Sequence, residues 1–296
     1  MSKYIVTTDS TADFPASYYT ENNIPVSCLK YVIGDETFVD DSGITMSNKD
    51  FYQKVREGAL PTTSMVNIAD YMDFFEPFLK DGFDILHLGF TSGLSGSYGS
   101  SVTAAEELME KYPDRKIVTI DSLSAASGQG LYVQYVIDKR DAGMGYEEIC
   151  EYAKALAPKV HHWFFPTNLT QLMRGGRVSK TSGFVGNLLN ICPLLCVDVE
   201  GHLIPKAKVR GRKKAALECL AKMKMYADNR MDYDGKVFIS HSDSIDDALY
   251  LKSLVEENFP KVSDIKIYEI GPVIGAHTGP GTAVLAFIGD DRKLIP

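Results

Sequence analysis

Between Thr91 and Ser100 the chain reads TSGLSGSYGS, directly after the apolar run FDILHLGF. Ser92, Ser95 and Ser97 stand there around Gly93 and Gly96. A strand that passes through such a loop into a helix leaves free backbone N–H groups at the helix start, and the helix dipole favours negative charge there. The hydroxyls add donors without adding positive charge, which suits a carboxylate or a single phosphate. Ser and Gly are also ordinary N-caps, so this loop by itself leaves capping and anion binding both open. A second chemical candidate lies in IGPVIGAHTGPGT, Ile270 to Thr282, where one histidine, His277, sits among four glycines and two prolines. The prolines and glycines predict a stiff loop, neither helix nor strand, that holds the imidazole in place and lets a backbone or ligand pack closely. Two more polar stretches, TTDSTAD around Asp9 and PTTSM around Thr63, complete the set, with DSLSAASGQG as a further candidate loop.

Ser95, His277 and Asp9 supply the residue types of a nucleophile, base and orienting acid. The local signature G-x-S-x-G is missed by one residue, because Ser97 stands where glycine is needed. There is no G-x-x-x-x-G-K-[ST] phosphate loop, and SGQG lacks the third glycine of a dinucleotide fingerprint. Cys192 and Cys196 have no second Cys or His pair at ligand spacing, which favours buried small side chains over zinc.

These loops need a scaffold. The first half alternates apolar runs such as KYIVTTDS, FDILHLGF and RKIVTI with helical patterns such as SVTAAEELMEKY, which predicts a parallel sheet covered by helices. Asp13 and Pro15 are expected to open the first helix, one as cap and the other in its first turn, and Ser47 to cap a helix running to about Arg56. In the second half, CPLLCVDVEGHLIPKAKVR reads as two strands joined at Glu200-Gly201, helices follow near 213–227 and 245–258, and TAVLAFIG is the last strand. The expected architecture is two α/β domains, 1–158 with a Rossmann-like parallel layer and 159–296 with a mixed sheet flanked by helices. In an open α/β sheet, ligands bind beyond the carboxyl ends of strands, where the polar loops lie.

The chain has 296 residues, 45% of them hydrophobic, so it can bury a large core. Its formal net charge of −8 argues against general nucleic-acid binding. Lys206 to Lys214, KAKVRGRKK, is locally basic with no acid, which fits either a solvated face or a dock for an acidic partner or anionic lipid headgroups. Five scattered cysteines and no signal-peptide pattern predict a reducing, cytoplasmic setting.

Taken in order, TDSTAD, the TS of PTTSMV, SGLSGSY, DSLSAASGQG, LMRGGRVS, ICPLLCVDVEGHL, VRGRKKA and GPVIGAHTGPGT resemble the DegV family of bacterial fatty-acid-binding proteins, the binding subunits of a fatty acid kinase. The resemblance spans nearly the whole chain. It implies a long-chain fatty acid buried in an apolar tunnel, with no further cofactor, and a carboxylate presented to a separate ATP-dependent kinase that forms acyl phosphate for phospholipid synthesis. It assigns the carboxylate to Thr63, Ser95 and the N–H of Gly96, with His277 beside them. Arg177 would support the head group or phosphotransfer, and Arg210 and Arg212 would meet the kinase or, transiently, a membrane surface. Two departures keep a hydroxyl, Thr91-Ser92 for Ser-Ser and Ser97 for Thr. Cys192 stands where the family often has lysine, which removes a charged role there. The competing reading is a serine esterase or thioesterase using Ser95 and His277.

Overall fold

The computed structural model describes residues 3–179 and 190–294. The chain starts with β1 (Tyr4–Asp9), whose last five residues are buried. After α1 (Ala16–Glu21) come β2 (Val26–Ser27), β3 (Lys30–Ile33) and β4 (Glu36–Val39). The run IPVSCLKYVIG is therefore divided between β2 and β3, which belong to different sheets. Helix α2 (Asn48–Arg56) is capped by Ser47, whose side chain accepts the N–H of Asp50 as its sequence predicts. β5 (Thr62–Ser64) leads to α3 (Ile68–Lys80), which buries Tyr71, Phe75 and Leu79 at four-residue spacing. β6 (Asp84–Gly89) is buried at every position, as a central parallel strand covered on both faces must be. α4 (Ser97–Lys111), β7 (Ile117–Asp121), α5 (Ala126–Asp141) and α6 (Tyr146–Leu156) follow.

β8 (Val160–Phe165), α7 (Thr170–Arg174), β9 (Ile191–Val197) and β10 (Leu203–Arg210) open the second half. Then come α8 (Arg212–Tyr226), β11 (Lys236–Ser242), α9 (Ile245–Asn258), β12 (Asp264–Glu269), α10 (Pro272–Thr278) and β13 (Thr282–Ile288).

Among the described residues three sheets form. A parallel sheet has the order β2-β1-β6-β7, and a mixed sheet has the order β10-β9-β8-β13-β11-β12, parallel only between β11 and β12. A small antiparallel sheet, β4-β3-β5, carries Thr63 opposite Tyr31. The chain is a mixed α/β protein with helices on its sheets. Helix α5 is buried along most of its first three turns because it packs on β8, β11 and β13 of the mixed sheet and on α6.

Two expectations need correction. Asp13 does not cap α1. Pro15 occupies the capping position, while Asp13 adopts a left-handed φ of 58° and accepts the N–H of Gly271 at 3.0 Å. The stretch around His277 is not a loop but the helix α10. Pro272 sits in its first turn, where a missing N–H is harmless, and Gly279 ends it at a φ of 68°. Its punctuating residues mark the boundaries of a helix. Cys192 and Cys196 are buried on β9, and the Cys192 thiol meets the carbonyl of Pro166. No group of three or more His, Cys, Asp or Glu among the described residues could hold a metal ion. No described helix is long and apolar enough to cross a membrane.

Candidate ligand-binding site

Three local structures meet at one point. The loop after β6 enters α4 at Gly96, and there Ser95 Oγ accepts the N–H of Ser97 at 3.2 Å. The two hydroxyls, Ser95 and Ser97, lie 2.9 Å apart. Ser97 in turn accepts the N–H of Val66 at 3.1 Å, which ties the segment leaving β5 to the start of α4. β5 thereby brings Thr63 close, and Thr63 Oγ1 lies 2.8 Å from Nε2 of His277 on α10.

The other ring nitrogen of His277 is buried without a hydrogen-bond partner. Burial, and next the positive charges of Arg177 and Arg174, push the His277 pKa down to about 4, so the ring is neutral at pH 7. Gly175 faces this nitrogen. A Cβ at that position would come within 2.1 Å of it, so only glycine leaves the imidazole room. The side chain of Arg177 folds back over the same corner: its Nε donates to the carbonyl of Leu94 at 3.1 Å and its Nη1 to that of Gly175. Burial lowers its pKa from the usual value.

Thr63, Ser95, Gly96, Arg177 and His277 all line one cavity of about 230 Å³. Beyond this polar corner the walls are apolar, with Phe90, Phe164, Leu172, Ile274 and Val284 among them. All five are buried core, contributed by β8, α7, α10 and β13 with the loop after β6. One end can hold an anion with hydroxyls and a helix-start N–H, and the body can hold hydrocarbon. Among the described residues lining the cavity, Arg177 is the one permanent cation, and its fork is engaged by backbone carbonyls.

The Ser95–His277–Asp9 arrangement does not assemble. Asp9 accepts the hydroxyl of Tyr71 and the N–H of Phe90, both at 2.7 Å, and Ser95 is paired with Ser97. His277 pairs with Thr63, so no carboxylate orients its ring. The two expected docking arginines also differ from one another. Arg210 is exposed at the end of the edge strand β10. Arg212 is partly buried and engaged: it pairs with Asp247 at 2.8 Å and donates to the carbonyl of Gly281 at 2.6 Å. It braces the segment after α10 and is not a free surface charge.

Residues that sequence reading passed over include Gly175 and His162. The signal for Gly175 was the doubled glycine, since one suffices to end a helix. His162 gave no signal beyond its type.

The DegV family profile, described as an uncharacterised protein family, matches residues 3–290. A DegV domain-containing protein of Clostridium perfringens is 39% identical, with 99% of this chain and 100% of that protein covered. A DegV family protein from Thermus thermophilus, whose structure is described as showing fatty acid binding, superimposes with a TM-score of 0.86 at 29% identity, covering 97% of this chain and 99% of that one. The Streptococcus pneumoniae Fatty Acid Kinase (Fak) B3 protein loaded with linoleic acid gives 0.84 at 26% identity, covering 97% and 100%. With the match running nearly end to end, this chain belongs to the DegV family.

Proposed function

We propose that this chain binds a long-chain fatty acid, with its carboxylate at the Thr63, Ser95, Gly96 and His277 corner and its hydrocarbon in the apolar cavity. The observation that carries this is the convergence of those four residues, from three separate parts of the sequence, at one end of a single largely apolar cavity. The Thermus thermophilus and Streptococcus pneumoniae relatives support it by what they bind. Burying hydrocarbon supplies about 0.8 kcal/mol per methylene, so the chain gives most of the affinity and the polar corner gives orientation.

The finer reading is that the protein is a carrier, not an enzyme, and presents the carboxylate to a separate ATP-dependent kinase that makes acyl phosphate for phospholipid synthesis. The Fak B3 neighbour supports a kinase partner. A corner built mainly of neutral donors also suits the task, because a carboxylate held by hydroxyls and an N–H remains open to phosphoryl transfer, and Arg177 would support the head group. The basic edge at β10, with exposed Lys206 and Arg210, is the face for the kinase or an anionic membrane. We read residues 1–158 and 159–296 as the two structural units around the cavity.

Mass spectrometry of lipid extracted from the purified protein tests the binding reading. A fatty acid is expected. No acyl chain, together with no uptake of added fatty acid, sinks it. An acyl-ester hydrolysis assay separates the esterase reading: turnover lost in Ser95→Ala favours the enzyme, whereas weaker retention without any turnover favours the carrier.

A further inference from the structure

The deep end of the cavity lies at a built gap in the mixed sheet. β8 and β9 pair at only two positions, Trp163 with Cys196 and Phe164 with Leu195. Continuing that antiparallel register, His162 would face Val197, but the ladder stops before them. Arg292, 5% exposed, fills the opening. Its guanidinium donates to the carbonyls of Val197 and Asp198 at the end of β9 and of Ala157 and Pro158 just before β8, so one side chain satisfies backbone groups where the ladder stops.

Two cavities meet at this gap. The acyl cavity has His162 and Val197 in its wall. A second cavity of about 470 Å³, lined also by Trp163, Tyr226, Lys206 and Lys222, has the same two residues in its wall, and shares no others with the first. His162 is far from the head group. Thr282 and Val284 line the acyl cavity on β13, and the next inward position, Ala286, pairs with His162. Thr282 to Ala286 is four strand residues, roughly 13 Å. The imidazole reaches from β8 to α5, where a Cβ on Gly128 would come within 1.6 Å of its Nε2. Neither ring nitrogen is hydrogen-bonded, so packing alone fixes the ring.

We propose that His162, with Val197 beside it, is the partition that ends the acyl cavity and sets the longest chain bound at full affinity. This rests on the fatty-acid reading above. Chains that stop short of the ring are insensitive to it, and longer ones must displace it into the second cavity or bend. Each additional methylene that can be buried raises affinity about fourfold, so opening room for two gives roughly fifteenfold.

The test is a binding series on the delipidated full-length protein, using saturated straight-chain fatty acids of increasing length. His162→Ala is expected to move the preferred length upward by two or more carbons and to strengthen binding of the longest acids about tenfold. Gly128→Ala is expected to displace the ring from α5 toward the acyl cavity and to move the preference downward; it keeps the test available if His162→Ala folds poorly. Shifts in these opposite directions support the partition. Unchanged length preference in variants that still bind shorter acids overturns it while leaving the fatty-acid reading intact. Failure of the wild type to bind any acid of the series sinks both.

Discussion

Thr63 and His277, 214 residues apart in sequence, meet at 2.8 Å between Oγ1 and Nε2. The pairing places one strand and one helix of different sheets at the same corner of the cavity. The proposed complex has the two groups share the carboxylate, so they should act as a coupled pair. A hydrogen bond to a charged group contributes about 1.5–3 kcal/mol. His277→Ala and Thr63→Val are each expected to weaken fatty-acid binding by roughly tenfold to a hundredfold. The double variant should lose clearly less than the product of the two, which titration calorimetry on all four proteins measures. Full additivity would show that the two side chains act separately.

Two largely buried histidines should each withdraw stability on mild acidification, against an opposite contribution from Asp13 and Asp40, whose carboxyls are raised by burial. The folded-state pKa of His277 is held near 4 by burial first and by Arg177 and Arg174 next, below the ordinary 6.5. His161 is held near 4 as well, chiefly by burial. Because these pKa values are lowered on folding, the unfolded chain takes up protons between pH 6.5 and 4 and the folded chain does not. The histidine contribution is therefore full above about pH 6.5 and declines as pH falls toward 4, by up to about 3 kcal/mol for His277 alone, while Asp40, pushed up to about 7, contributes in the opposite sense. Urea unfolding at neutral pH and near pH 4.5 measures the loss, and His277→Gln should reduce it. A variant with an undiminished loss would rule out His277 as a contributor.

Gly175→Ala should damage the site more than the fold. The backbone there has a φ of −75°, which alanine adopts freely, so the strain is confined to the side-chain side. The new methyl would lie 2.1 Å from Nδ1 of His277 and must displace the ring from its present pairing with Thr63. Fatty-acid affinity is expected to drop about tenfold, in line with loss of the His277 contact, while the thermal midpoint moves by only a few degrees. Unaltered affinity would mean that the His277 position is immaterial to binding.

How much of this was legible in the sequence depends on what each signal encodes. The two larger sheets were readable because apolar runs such as DILHLG are buried along their length, whereas the small sheet β4-β3-β5 was not. Thr63, Ser95, Gly96, Arg177 and His277 were legible through the family motifs, and they do line one cavity. The helix α10 was not. Its seven residues contain a glycine and are flanked by more, so local propensity opposes it. Tertiary contacts make up the difference: Asp13 accepts the N–H of Gly271, and Tyr52 donates to the carbonyl of Ile270. Asp13 itself was misread as a cap because an acid before proline looks the same whether it serves the next helix or one 258 residues away. Arg212 was misread for a related reason. Charge runs read as surface, and only the fold brings Asp247 and Gly281 to it.

That last distinction separates two arginines that the sequence treats alike. Arg210 is exposed on the edge strand, so Arg210→Glu changes the surface field and little else. It is expected to weaken association with the kinase, or with vesicles rich in anionic lipid, about tenfold, with fatty-acid affinity and thermal midpoint unchanged. Arg212→Met removes a partly buried donor that holds Asp247 and the Gly281 carbonyl, leaving that carboxylate without its partner. The expected loss is about 1–3 kcal/mol of stability, with weaker fatty-acid binding because the same segment follows the His277 helix. Measuring vesicle or kinase association and fatty-acid affinity on both variants decides the matter. Equal effects on partner association with no change in stability would return Arg212 to the docking face.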